Sequence, residues 1–166
     1  MTRTSRRPLR PWLALLWLLA ALPAGGQTIT LTGSWTLTLS AADLQPPGPG
    51  LNFTTPRDSA DNQVLITTTS PGNTLRTVSV YRIDSPGWNA ALTLRVIRTG
   101  DGTGAGTITG GLDPGVIVPA GQANRVAFFD VRRNRSNIPI KLRLDGLTVA
   151  LGAPATYTTT VYYEIQ

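Results

Sequence analysis

The residue types that usually carry chemistry are scarce in this chain. It contains no histidine and no cysteine. That excludes Ser-His-Asp and Cys-His nucleophilic systems and most transition-metal sites, which draw on imidazole or thiolate. A serine–lysine pair would have to use Lys141, the sole lysine. Lys141 lies mid-strand beside Arg143, on the face opposite Leu142, where a solvated strand charge is the simpler reading. Two carboxylates would suffice for a glycosidase. Asp58, Asp61, Asp84, Asp101, Asp113 and Asp145 fall mostly in turn-like settings, where Asp serves the backbone. Asp130 is the exception, in a strand pattern with Phe128. No catalytic residue, metal site or cofactor is assigned, and a non-enzymatic role is expected.

Three features suit binding instead. Residues 100–106 read Gly-Asp-Gly-Thr-Gly-Ala-Gly. No helix pattern follows, so this is not a dinucleotide fingerprint. One acid, Asp101, makes a poor calcium site, and a flexible surface loop is the expectation. Arg132, Arg133 and Arg135 form a basic cluster suited to an anionic surface polymer or lipid head group. Its plainer reading is a charged hairpin tip that keeps a sheet end soluble. Trp88, after Pro86 and Gly87, and the pair Tyr162 and Tyr163 offer flat faces to a sugar. Core or rim packing is the plainer reading for these rings.

These side chains need elements to position them, and the clearest element is residues 28–39. Every even position there is Thr or Ser, and the odd positions are Ile29, Leu31, Gly33, Trp35, Leu37 and Leu39. Alternation with period two specifies a strand with one apolar and one hydroxyl face. Twelve residues reach about 40 Å, enough for one strand and not two. The strand either pairs within its own sandwich or is lent to a neighbouring subunit's sheet edge. In the second reading Ile29, Leu31, Gly33, Trp35 and Leu37 form the pairing row.

The remaining chain repeats the pattern. Strands are predicted over residues 63–69, 74–83, 90–99, 123–133 and 155–165, with short candidates at 51–55, 107–109 and 116–118. Pro- and Gly-rich turns separate them. Residues 45–50, Gln-Pro-Pro-Gly-Pro-Gly, exclude helix and ladder alike. Ile140, Leu142 and Leu144, then Asp145-Gly146, then Leu147, Val149 and Leu151 predict a two-residue hairpin with all six apolar side chains on one face. A continuous strand bulged at Gly146 is the competing reading. No stretch beyond the N-terminus has a useful helical period.

The N-terminus has the parts of a secretory signal peptide. Arg3, Arg6, Arg7 and Arg10 precede an apolar run from Trp12 to Leu22, followed by Pro-Ala-Gly-Gly. The run spans roughly 16 Å as a helix, short of the ~30 Å hydrocarbon core. Residues 1–26 are read as the signal helix and residues 27–166 as a single secreted domain. An uncleaved anchor is the competing reading. The chain carries 15 Lys and Arg against 9 Asp and Glu, a net charge of +6. Four of those arginines leave with the leader, so the mature balance is 11 against 9, or +2. The high pI is thus largely a targeting feature, and no nucleic-acid partner is expected.

The C-terminal strand, a Gly/Pro turn and Tyr157 followed by Thr/Val alternation ending Tyr163-Glu164-Ile165, resembles the close of secreted bacterial β-sandwich proteins of the spore-coat-U-like and archaic-pilin-like kind. The leader followed at once by a Thr-rich alternating strand fits the same picture. The resemblance implies a coat or fibre subunit, some of which lend an N-terminal strand to a neighbour. The expected fold is all-β, an antiparallel sandwich of immunoglobulin- or pilin-like type with about seven to nine strands. The expected role is structural, in an exported layer, coat or fibre at the periplasm, cell surface or exterior. Expected partners are further copies of the chain or other envelope proteins, with the membrane touched only through the leader before cleavage. The alternative is a module that binds carbohydrate or cell-wall polymer through Trp88. A small outer-membrane barrel, which also uses two-faced strands, ranks third.

Overall fold

The computed structural model describes residues 26–40, 43–44, 53, 55–70, 72–151 and 156–166. The predicted strand at 51–55, the turn at 45–50 and the leader lie wholly or mostly outside them. Most period-two segments become strands: β1 (Thr28–Thr32), β2 (Arg57–Asp58), β3 (Val64–Thr69), β4 (Leu75–Asp84), β5 (Thr93–Arg98), β6 (Ile108–Gly110), β7 (Val116–Ile117), β8 (Val126–Arg132), β9 (Arg135–Asp145) and β10 (Thr159–Ile165). Helical geometry among the described residues is limited to Asp43 and to short 3-10 turns at Gln122–Asn124 and Val149–Leu151.

Two antiparallel sheets result. The first runs β1-β3-β9-β5-β7, with β2 also paired to β9; the second runs β10-β4-β8-β6. Ile66, Val96, Ile138 and Ile140 from the first sheet meet Val78, Val80 and Val131 from the second, all fully buried. Each such side chain contributes roughly 1.5–3 kcal/mol on leaving water. The chain is therefore all-β and sandwich-like. β9 is the spine of the first sheet: Ile138, Ile140 and Leu142 face the core, and Lys141 and Arg143 occupy the alternate, outer face.

The Asp145-Gly146 hairpin is not formed. β9 ends at Asp145, Leu147 is buried, and the chain enters a 3-10 turn at Val149. Both sides of the end of β9 are already taken: Leu144 pairs with Leu94 of β5 on one side and with Arg57 of β2 on the other. No edge remains for a returning strand, so local turn chemistry loses to long-range pairing. Gly146 instead packs against the Ala91 carbonyl, 2.0 Å from where a Cβ would sit.

The glycine-rich stretch is hydrogen-bonded to its neighbours along residues 132–136. Thr103 and Ser136 exchange backbone hydrogen bonds at 2.8 Å, and the Arg132 N–H donates to the Thr107 carbonyl at 2.9 Å. Gly102, Gly104 and Gly106 lie against the carbonyls of Ser136, Asn134 and Arg132, at 2.2–2.5 Å from an imagined Cβ. Residues 102–106 thus form a flat strap over the corner at Arg133 and Asn134, where the chain passes from the second sheet into the first. Glycine spacing of two matches the strand period beneath it.

Candidate functional site

The predicted pairing strand is divided in two. Residues 28–32 form β1 and pair with β3, Thr28 opposite Thr69 through Thr32 opposite Leu65. The ladder then stops. Gly33 adopts φ +111°, and any Cβ would lie 2.2 Å from the Gln63 carbonyl oxygen. That close approach explains a glycine in the apolar row. The Gln63 side-chain amide donates to the Ser34 carbonyl. Residues 33–40 keep the alternation without a ladder: Trp35, Leu37 and Leu39 are half-buried, while Ser34, Thr36, Thr38 and Ser40 are exposed. Trp35 and Ile29 pack against the core, whereas Leu31 stays 40% exposed. The predicted strand over 28–39 therefore shortens to five residues.

β10 lies near β1. It is the terminal strand of the second sheet and hydrogen-bonds to β4 only, from Thr159 opposite Asp84 to Ile165 opposite Val78. β1 approaches it without joining a ladder. Val161, Tyr163 and Ile165 turn inward to the core, and Tyr162 faces out, stacked on Tyr81 at 5.1 Å. The Tyr163 hydroxyl is buried without a partner among the described residues, and burial pushes its pKa up. Tyr162 and Tyr163 are therefore split between the two faces and form no joint platform.

Trp88 is half-buried beside a structural arginine. The Arg82 guanidinium lies over its ring at 5.1 Å, and Trp88 Nε1 is buried. Arg82 also bonds Asp84 at 2.8 Å and the Val118 carbonyl at 2.9 Å. This ring thus already packs against the protein's own cation.

The outer face of β9 carries an ion-pair network that sequence reading took as isolated charges and turn aspartates. Arg143 binds Asp58 through two hydrogen bonds at 2.7 and 2.9 Å and Asp113 at 3.1 Å. Lys141 lies 3.1 Å from Asp61 and 3.6 Å from Asp58, and Arg95 lies 3.4 Å from Asp145. Arg143's hydrogen bonds, with its charge and that of Lys141, hold Asp58 below the ordinary carboxylate range. The Asp61 partner, with the nearby carboxylate charges, raises the Lys141 pKa. A lysine held protonated is the reverse of what a general base requires. Beside this network lies an open cleft of about 440 Å³, lined by Pro56, Thr93, Arg95, Pro114, Ile117, Arg143 and Asp145. Its arginines already face carboxylates, and no group of acids suited to a metal occurs among the described residues.

The three clustered arginines lie at the β8–β9 corner but share no partner. Arg132 donates to the Asn73 carbonyl at 3.0 Å, Arg135 donates to the Gly106 carbonyl beneath the strap, and Arg133 is exposed at the corner with φ +60°. Sequence reading missed the residues that join them here. Arg76 of β4 stands opposite Val131, and Thr68 of β3 stands opposite Arg135. A signal was present: Thr68 continues the inward row of Val64 and Ile66, so a hydroxyl occupies an apolar position.

No family model matches the chain, and no curated protein or solved structure matches it.

Proposed function

We propose that this chain is a non-enzymatic structural subunit of an exported coat or fibre, joined to its neighbours by pairing of strand edges. Two features carry the reading: residues 33–40, which follow β1 without a described ladder, and β10, which is the terminal strand of its sheet. Residues 33–40 have strand alternation but no described ladder, and β10 has a partner on one side only. An edge of this kind is a template for another chain's backbone. Neither segment is protected by proline, and Glu164 is its single charge. The basic, then apolar, then small-residue leader supports export, and the likeness of both chain ends to spore-coat-U-like proteins points the same way.

Thr38→Pro tests the reading. Among the described residues the Thr38 N–H donates to no backbone carbonyl, so the folded subunit loses little. A pairing strand would lose a ladder donor. The wild-type chain is expected to elute as multimers and to show assemblies by electron microscopy. Thr38→Pro is expected to elute as a monomer with an unchanged far-UV spectrum. A wild type that is strictly monomeric, including in its native extract, refutes the proposal.

A further inference from the structure

The charges of this molecule are segregated, and the pattern points to a second site. Arg57, Arg82, Arg95, Arg98, Arg125, Lys141 and Arg143 each pair with a carboxylate. Arg76, Arg132, Arg133 and Arg135 pair with none among the described residues, and all four lie at the end of the sandwich where β3 turns into β4 and β8 hands over to β9. The nearest acid in the ladder, Asp130, is engaged by the Thr77 hydroxyl at 2.6 Å. The excess positive charge of the described domain therefore sits at one end.

We propose that this end binds a tetrahedral oxyanion of the phosphate or sulfate class, seated between the two sheets. Among the described residues, four buried polar atoms at this end lack a partner: Thr68 Oγ1, Ser70 Oγ, Arg76 Nε and Arg135 Nε. All four can donate a hydrogen bond. Thr68 and Ser70 are 0% and 2% exposed, and Thr68 faces inward directly opposite Arg135. Arg76 enters from the facing sheet, opposite the fully buried Val131. The terminal nitrogens of both arginines are anchored, that of Arg135 by the Gly106 carbonyl and those of Arg76 by the Gln27 side-chain amide, whose oxygen accepts at 3.1 and 3.3 Å once the amide is turned to face the guanidinium. The Ser70 N–H is fixed by Asn134 Oδ1 at 2.8 Å. Buried donors left unmade are costly. Two guanidinium and two hydroxyl donors without an acid among them form a set matched to an oxyanion.

The oxyanion has two possible sources, a free ion or a lipid head group. Gln27, which anchors Arg76, stands five residues after Leu22, the last of the apolar run. Five extended residues span at most about 18 Å. On the reading of residues 1–26 as an export leader, the Gln27 end of the domain is tethered within that distance of the apolar run, which makes a head group worth testing beside the free ion.

The test uses the full chain as produced, in phosphate-free buffer at constant ionic strength. Titration with sodium phosphate or sulfate, followed by calorimetry and thermal unfolding, is expected to give saturable binding and a Tm that rises with ligand. Arg76→Gln and Arg135→Gln are expected to weaken binding at least about tenfold. Arg125→Gln, whose partner is Glu164 on the outer face, is expected to leave it unchanged. Thr68→Val keeps shape and charge, so it guards against a folding artefact. Without phosphate it should be as stable as wild type or more so, and with saturating phosphate less so. Vesicles of phosphatidylglycerol, compared with phosphatidylcholine, separate the sources. Excess binding to the anionic vesicles that free phosphate displaces assigns the seat to a head group; binding of the ion without such an excess assigns it to the soluble anion. Absence of saturable phosphate and sulfate binding, with water filling the seat, overturns the proposal. So does binding indifferent to Thr68→Val, Arg76→Gln and Arg135→Gln, which would reduce the end to surface charge.

Discussion

Replacing Gly106 by alanine tests whether the glycine stretch is a strap or a loose loop. At φ +91° a side chain is strained, and its Cβ would lie 2.2 Å from the Arg132 carbonyl oxygen. Backbone strain of this kind costs about 1–3 kcal/mol. Moving the strap off the corner adds about 1–3 kcal/mol, the usual penalty of overpacking. Gly72→Ala is the control, since Gly72 has φ +79° and nothing within 4 Å of an imagined Cβ. It should show the conformational part alone, about 1–2 kcal/mol. The difference isolates the contact. Urea unfolding of wild type and both variants reads it, as midpoints that shift while the slope stays constant. Hydrogen exchange should show Thr103 and Ser136, which share reciprocal bonds, losing protection in Gly106→Ala only. If Gly106→Ala falls within about 0.5 kcal/mol of Gly72→Ala, below the gap that overpacking demands, the strap reasoning is wrong.

Other outcomes follow from the same contacts. Asp58→Asn should lower stability by about 1 kcal/mol at pH 7, since Asp58 is partly exposed and serves two cations. Its pKa is lowered in the folded state, so its contribution is complete above the unfolded value near 4 and fades as pH falls through the folded one. Lys141, whose pKa is raised, contributes below its unfolded value near 10.4 and loses that as pH rises. Urea melts of wild type and Asp58→Asn should therefore differ at pH 7 and converge as pH falls through the folded-state value of Asp58. Tyr163→Phe removes a buried hydroxyl without a partner and should be neutral or stabilising by up to about 1 kcal/mol; a loss above that would reveal a missing partner. Trp35→Ala should cost about 2 kcal/mol because the ring packs against the core. An effect as small as that expected for Thr38→Pro would mean residues 33–40 do not hold their place on the subunit.

Much of the fold can be read from alternation. The inward rows of β3, β5 and β10 follow directly from Val64 and Ile66, from Leu94 and Val96, and from Val161 and Tyr163, since period two assigns faces without knowledge of partners. Turn chemistry was less dependable. Asp145-Gly146 has the composition of a hairpin, yet β2 and β5 occupy both sides of β9, and a local preference of a few tenths to one kcal/mol cannot displace two ladders. The glycines at 102, 104 and 106 imply freedom when read alone. Their opposite role depends on a corner thirty residues later in the chain.

The same division applies to the candidate sites. Composition alone settled that imidazole and thiol chemistry are absent and that four of the basic residues stand in the first ten positions. It also marked residues 28–39 as two-faced. That their ladder stops at Thr32 required the Gln63 carbonyl, which leaves room for nothing larger than Gly33. The grouping of Arg76, Arg135, Thr68 and Ser70 at one end, away from every paired acid, is a product of sheet register. Alternation fixes which way a side chain points because it is a property of the strand itself. Which residues meet is decided by the order in which strands pair, and that depends on contacts across the whole chain.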